Sequence, residues 1–196
     1  MSNLIVTFWS YTRLMSVVPS VPPPWLVSLV NEYAPQTREA ARENHGPYLD
    51  VMAEPQAPRM SRVSQKDLIS IAHRLWLIFA AEGEAQHAAL FNDLLDDAEL
   101  SPQVNERAEL CWTTSHTNAG PLLLAGCAAA LLVATQEHNW RRLDTCAGDD
   151  CMDVYIDAVG RGTRRCYPAA LRSWAPPGRL VLPRGGATYH GQRWQL

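Results

Sequence analysis

The sequence predicts an α+β protein: a mostly helical N-terminal domain carrying a short β hairpin, followed by a small cysteine-bearing module. Three observations predict it. Between residues 24 and 139 apolar residues recur at helical spacing, as in Leu68, Ile71, Leu75 and Ile78. Leu110, Trp112 and Thr114 alternate with Cys111 and Thr113, the period of a strand. Beyond residue 139, Cys146, Cys151 and Cys166 surround the short apolar run Val154, Tyr155, Ile156. At 196 residues and 47% hydrophobic content, the chain is long enough to bury a sizeable core.

Residues 1–23 read as an N-terminal extension. Leu4 to Val18 is apolar but broken by Arg13, Ser and Thr, and it runs into Pro19 and Pro22 to Pro24. That is too short and interrupted for a membrane span, and the cationic start of a signal peptide is missing. Pro24 suits the first turn of a helix running to about Tyr33, with Leu26, Leu29 and Val30 on one face. Residues 35–62 hold Pro35, Pro47, Pro55 and Pro58 and read as a long irregular segment. Ser64-Gln-Lys-Asp67 has the spacing of a capping box and opens a helix to about Ala81.

After Gly83 a second helix, ending near Leu100, is expected to turn Ala88, Phe91, Leu94 and Leu95 inward. Residues 104–117 supply one or two strands. Pro121 then opens a helix from Leu122 to about Glu137 that is apolar nearly all round, as a central buried helix is. Asp93, Asp96, Asp97 and Glu99 read as a solvated face, and His73, His87 and His116, spread over separate elements, as surface or satisfied core residues. No phosphate-binding glycine loop, nucleophile elbow or His-Glu-x-x-His helix occurs, so no enzyme is expected.

Five cysteines and no secretion signal point to a reducing cytoplasm, where closely spaced thiols bind metal or stay reduced. Cys111 and Cys127 fall in apolar elements and read as core. Cys146, Cys151 and Cys166 read as ligands of Zn2+, whose structural shell takes four groups. Asp149, Asp150, His138, His190 and water are all open as the fourth.

Charge is divided along the chain. Residues 1–139 carry eight Lys or Arg against fifteen Asp or Glu, whereas 140–196 carry nine Arg against five Asp, and 158–196 seven Arg and no acid. A basic end of this kind is the electrostatic footprint of a phosphate binder or, alternatively, a solvated arm.

The run Trp140-Arg-Arg-Leu-Asp-Thr-Cys146, then Cys151-Met-Asp-Val-Tyr-Ile-Asp157, then Gly162-Thr-Arg-Arg-Cys166 resembles the CGNR zinc-finger family. Upstream, Leu26-Val-Ser-Leu-Val-Asn-Glu-Tyr33 looks like that family's N-terminal "LVN" helix, and Leu110-Cys-Trp-Thr-Thr-Ser-His116 like its strand before the last long helix. The resemblance covers roughly Trp25 to Cys166. It departs at Ala170, which stands where the family has its fourth cysteine, and the Pro-, Gly- and Arg-rich remainder does not look like the family's basic helix.

The resemblance implies an ABATE-like helical domain over 24–139, a degenerate zinc finger over 140–175 and a basic tail over 176–196. It implies a cytoplasmic bacterial stress-response transcription regulator. In that role Arg141, Arg142, Arg161, Arg164, Arg165 and Arg172 would contact the phosphates of duplex DNA. A small-molecule effector and a second copy of the chain are further candidate partners; a membrane is not. The alternative is a ligand-sensing or protein-interaction protein with a decayed finger that has lost DNA binding. An enzyme using an open three-thiolate site ranks last.

Overall fold

Two adjacent prolines, Pro23 and Pro24, open the first helix, where a missing N–H leaves no hydrogen bond unmade. In a computed structural model that describes residues 15–42, 46–148 and 151–157, this helix, α1 (Pro23–Tyr33), is sunk into the core along its central turns. Trp25, Leu26, Leu29 and Val30 are all within 1% of full burial, and Val27 and Ser28 between them are half-buried. The indole of Trp25 donates to the Val51 carbonyl (2.8 Å), meeting the need of a buried N–H for a partner.

The segment expected to be irregular begins with a further helix, α2 (Pro35–Ala40). Ala34 adopts extended geometry between the two helices, and Pro35 restarts the helix at its first position. Proline here initiates a helix rather than breaking one. A 3-10 turn at Val51–Ala53 follows. Helix α3 (Gln65–Phe79) starts as the sequence predicts: Ser64 Oγ accepts from the Asp67 N–H (3.1 Å) and donates to the Asp67 carboxylate (2.6 Å). Its stripe of Leu68, Ile71, Leu75 and Ile78 is buried, joined by Ala72 and Phe79.

Helix α4 (Glu84–Ala98) follows Gly83, whose φ of +89° is in the region that favours glycine. Its inward face is His87, Phe91, Leu94 and Ala98, while Ala88 is exposed. The expected stripe is therefore rotated by one position at its start, and a histidine takes the place assigned to an alanine.

Three antiparallel strands form one sheet: β1 (Ser16–Val17), β2 (Ser101–Val104) and β3 (Leu110–Thr114), with β3 central. Ser16 pairs with Thr114 and Val17 with Thr113 on one side; on the other, Ser101 to Val104 pair with Thr113 back to Leu110. Strand β2 begins three residues before the expected stretch and contains Pro102. Proline is tolerated because β2 is an edge strand and donates no hydrogen bond outward there. Strand β1 and the buried Val21 bring residues N-terminal of Pro24 into the sheet and the core.

Helix α5 (Ala119–His138) is long and apolar enough, by length and composition, to cross a membrane. Here it packs against α1, α3, α4 and β3, with Leu123, Ala125, Cys127, Ala128 and Leu131 fully buried. Two glycines permit its close contacts. A methyl group at Gly120 would lie 2.7 Å from Asp67 Cγ, and one at Gly126 would lie 2.9 Å from both the Pro19 carbonyl oxygen and Val21 Cγ2. After α5 a 3-10 turn at Trp140–Arg142 leads into a second sheet, the antiparallel pair β4 (Leu143–Thr145) and β5 (Val154–Ile156). Leu143 and Val154 belong to the same buried core as the helices.

The backbone contact at Gly126 cannot yield as a flexible side chain would. Gly126→Ala is expected to force apart α5 and the Pro19–Val21 segment and to cost about 1–3 kcal/mol despite alanine's better helix propensity. Urea unfolding of the two proteins measures it.

Candidate functional site

Two of the three cysteines that the sequence singles out, Cys146 and Cys151, fall at the tip of the β4–β5 hairpin. Strand pairing runs Leu143 with Ile156, Asp144 with Tyr155 and Thr145 with Val154, and it continues one step further, with the Cys146 N–H donating to the Asp153 carbonyl at 2.7 Å. At Gly148 the chain turns. The Cys151 N–H donates back to the Gly148 carbonyl (3.2 Å), and the Gly148 N–H donates to Cys146 Sγ (3.4 Å). A methyl at Gly148 would lie 3.4 Å from Cys146 Sγ and 3.6 Å from Cys151 Cβ, so both cysteines border one small volume.

Cys146 is buried and Cys151 half-buried. Cys127 is fully enclosed in α5, and burial pushes its pKa up to about 12, so it stays a neutral core group at physiological pH. Cys111, on β3, is half-buried rather than enclosed.

Two thiols on one turn fit part of a tetrahedral zinc shell in donor type. The third expected ligand, Cys166, lies outside the described residues, as do Asp149, Asp150 and His190; the His138 side chain is likewise not described. Among the described residues no group of three or more His, Cys, Asp or Glu is placed to hold a metal ion.

What fixes the turn in place is its docking on the helices. Asn31, in the last turn of α1, uses both ends of its side-chain amide on one residue of β5: Nδ2 donates to the Val154 carbonyl (3.1 Å) and Oδ1 accepts from the Val154 N–H (2.7 Å). The amide thus serves as a one-residue neighbouring strand. From α3 the Trp76 indole donates to the Met152 carbonyl (2.9 Å), gripping the loop between Cys151 and β5. Tyr155 donates its hydroxyl to Asp144 across the hairpin (3.2 Å). At the open end, the Asp157 N–H donates to the Arg142 carbonyl (2.8 Å), and the Arg142 guanidinium returns a bond to the Asp157 carbonyl (3.4 Å).

The expected phosphate-binding arginines divide in two. Arg141 and Arg142 lie on the 3-10 turn ahead of β4, and Arg161, Arg164, Arg165 and Arg172 lie outside the described residues. Arg142 is half-buried against Asp157 and has a local structural task. Arg141 is exposed, pairs with Glu84 of α4 (2.8 Å) and lies over the Trp140 ring (5.6 Å to its centroid). So exposed an ion pair is worth about 0–1 kcal/mol.

Beside the turn runs an open groove of about 340 Å³ lined by Gln36, Glu39, Ala40, Arg42, Trp76 and Met152. His73 reinforces its α2 wall through a 2.8 Å hydrogen bond with Gln36. Asn31 and Trp76 escaped the sequence reading as site residues. The signal for Asn31 was its place beside Val30 in a helix otherwise chosen for burial; Trp76 carried none.

No protein-family model matches this chain, and no curated protein matches it.

Replacing Asn31 with Ala removes both hydrogen bonds to Val154 at a half-buried position. The variant is expected to lose about 1–3 kcal/mol. Amide exchange at Val154 and Cys146 should accelerate while α3 and α5 stay protected, a pattern that hydrogen-exchange mass spectrometry resolves.

Proposed function

We propose that this chain is a bacterial transcription regulator that binds duplex DNA through a zinc-clasped, finger-like C-terminal module, as its resemblance to the CGNR family implies. The observation that carries the reading is the Cys146–Cys151 turn, where two cysteines flank a glycine whose N–H points at sulfur on a hairpin docked to a helical domain. Cys146, Cys151 and Cys166 are the ligands in this reading. Zinc, when bound, would supply structural cross-linking; the chain's own residues hold the hairpin against α1 and α3. Arg141 fits a phosphate contact because its present partner is weak and exposed. The seven arginines between 158 and 196 add the basic footprint.

A second reading, a ligand-sensing or protein-interaction protein without DNA binding, is favoured by the groove beside the turn, whose α2 and α3 walls meet the hairpin at Met152. Two measurements on chelator-free protein test them, and the second separates them. Elemental analysis is expected to find about one zinc per chain, lost in a Cys146→Ser, Cys151→Ser double variant. Binding to duplex DNA is expected to weaken with salt, with a slope of roughly -0.9 per phosphate engaged. Replacing Arg161, Arg164 and Arg165 with Ala should flatten it by about two to three units. No duplex binding at low salt, or an unchanged slope in the triple variant, puts the second reading ahead.

A further inference from the structure

His87 is the one histidine on the buried face of α4, with only 6% of its surface exposed. Its ring lies 5.3 Å from the Trp140 ring and 6.1 Å from Phe91, centroid to centroid. The ring faces the backbone of Ile78 on α3, and Nε2 is buried with no hydrogen-bond partner among the described residues. A neutral imidazole tolerates this, since Nε2 then bears only a lone pair. A protonated one does not, because the added N–H would be buried without an acceptor.

Trp140 begins the segment that carries the hairpin. We infer that His87 and Trp140 form a pH-sensitive latch: the neutral imidazole holds the base of the β4–β5 module against α4, and protonation releases it. Charged groups at this corner among the described residues include Glu84, one turn before His87 on α4, and Arg141, which pairs with Glu84 at 2.8 Å and covers Trp140. Glu84 is 67% exposed and bonds Arg141 rather than the imidazole, whose Nε2 has no partner among the described residues. From α3 the approach is the neutral backbone of Ile78, not a charge.

Burial holds the His87 pKa below the ordinary imidazole value, opposed by the bond to Ile78. With a folded pKa below the unfolded one, the latch is at full strength above about pH 6.5 and is lost as pH falls from there toward the folded pKa. Across that window the opening equilibrium shifts by up to roughly tenfold per pH unit.

The latch does not depend on the regulator reading, and its test uses neither metal nor DNA as readout. Hydrogen exchange of residues 140–146, corrected for intrinsic rates, would be followed between pH 7.5 and 5.5 (roughly one unit either side of the ordinary imidazole pKa) in the full-length protein and in His87→Phe, which keeps a ring but cannot titrate. The wild type should lose protection as pH falls and the variant should not. Equal losses in both would assign the effect to the thiols or carboxylates and overturn the latch, as would a flat wild type. Should His87→Phe fail to fold, the imidazole resonance of His87 in the wild type decides: a midpoint below that of an unperturbed histidine sustains the latch, and one at or above it refutes it.

Discussion

Strands of three residues cannot stand as an independent two-stranded sheet in water, so the β4–β5 hairpin depends on the edge that α1 lends it. The last turn of α1 is organised for this kind of work. Three successive side chains bind the backbone of two distant residues: Asn31 holds Val154, Glu32 accepts from the Leu49 N–H (2.7 Å), and Tyr33 donates to the Leu49 carbonyl (2.8 Å). Because α1 is itself sealed in the core by Trp25, Leu26, Leu29 and Val30, these polar groups are presented from a rigid base. The position of the cysteine turn is thus inherited from helix packing.

The same turn of α1 organises the loop after α2. Arg38 is only 3% exposed, and an arginine is buried only where its charge is met on several sides. It reaches Glu32 (3.2 Å) and the Gly46 carbonyl (2.8 Å), and it lies 4.0 Å over the Tyr48 ring. Tyr48 in turn stacks on Tyr33 at 4.8 Å. Burial beside Asp50 and Glu32 raises the Tyr33 pKa, so its hydroxyl remains a donor to Leu49 at any physiological pH. A guanidinium, two stacked rings and a carboxylate tie residues 46–50 to α1 where there is little apolar side chain to bury.

Much of the frame was legible because periodicity and capping are local. The Ser64–Asp67 box, the stripe of α3, the strand β3 and the apolar α5 all arise from neighbours within a few residues, although β3 does not alternate: Leu110 is exposed and the adjacent Thr113 and Thr114 are both buried. The misses share a different cause. Pro35 reads as a breaker unless Ala34 is known to be extended, and His87 reads as one more scattered histidine unless Trp140, fifty-three positions later, is known to pack on it. Asn31 and Val154 meet across 123 residues, a distance at which a single sequence gives no register. At the site itself, spacing alone put Cys146 and Cys151 either side of one turn, whereas the N–H pointed at sulfur is a property of the Gly148 backbone.

Dividing the hairpin into a docked base and a cysteine tip separates two tasks. Leu143, Val154, Asn31 and Trp76 secure the base through burial and hydrogen bonds that need no metal. A metal held at the tip would therefore add little to the strands already docked, and its leverage would fall on the chain beyond Asp157, where the third thiol lies and the acidic residues end. In the regulator reading that is where it is needed: seven arginines in a segment with no acid repel one another, and a cross-link back to the Cys146–Cys151 turn opposes that repulsion by restricting the chain. In that reading the two supports divide the work: helix packing fixes the turn, and a metal there would restrict only the chain that leaves it.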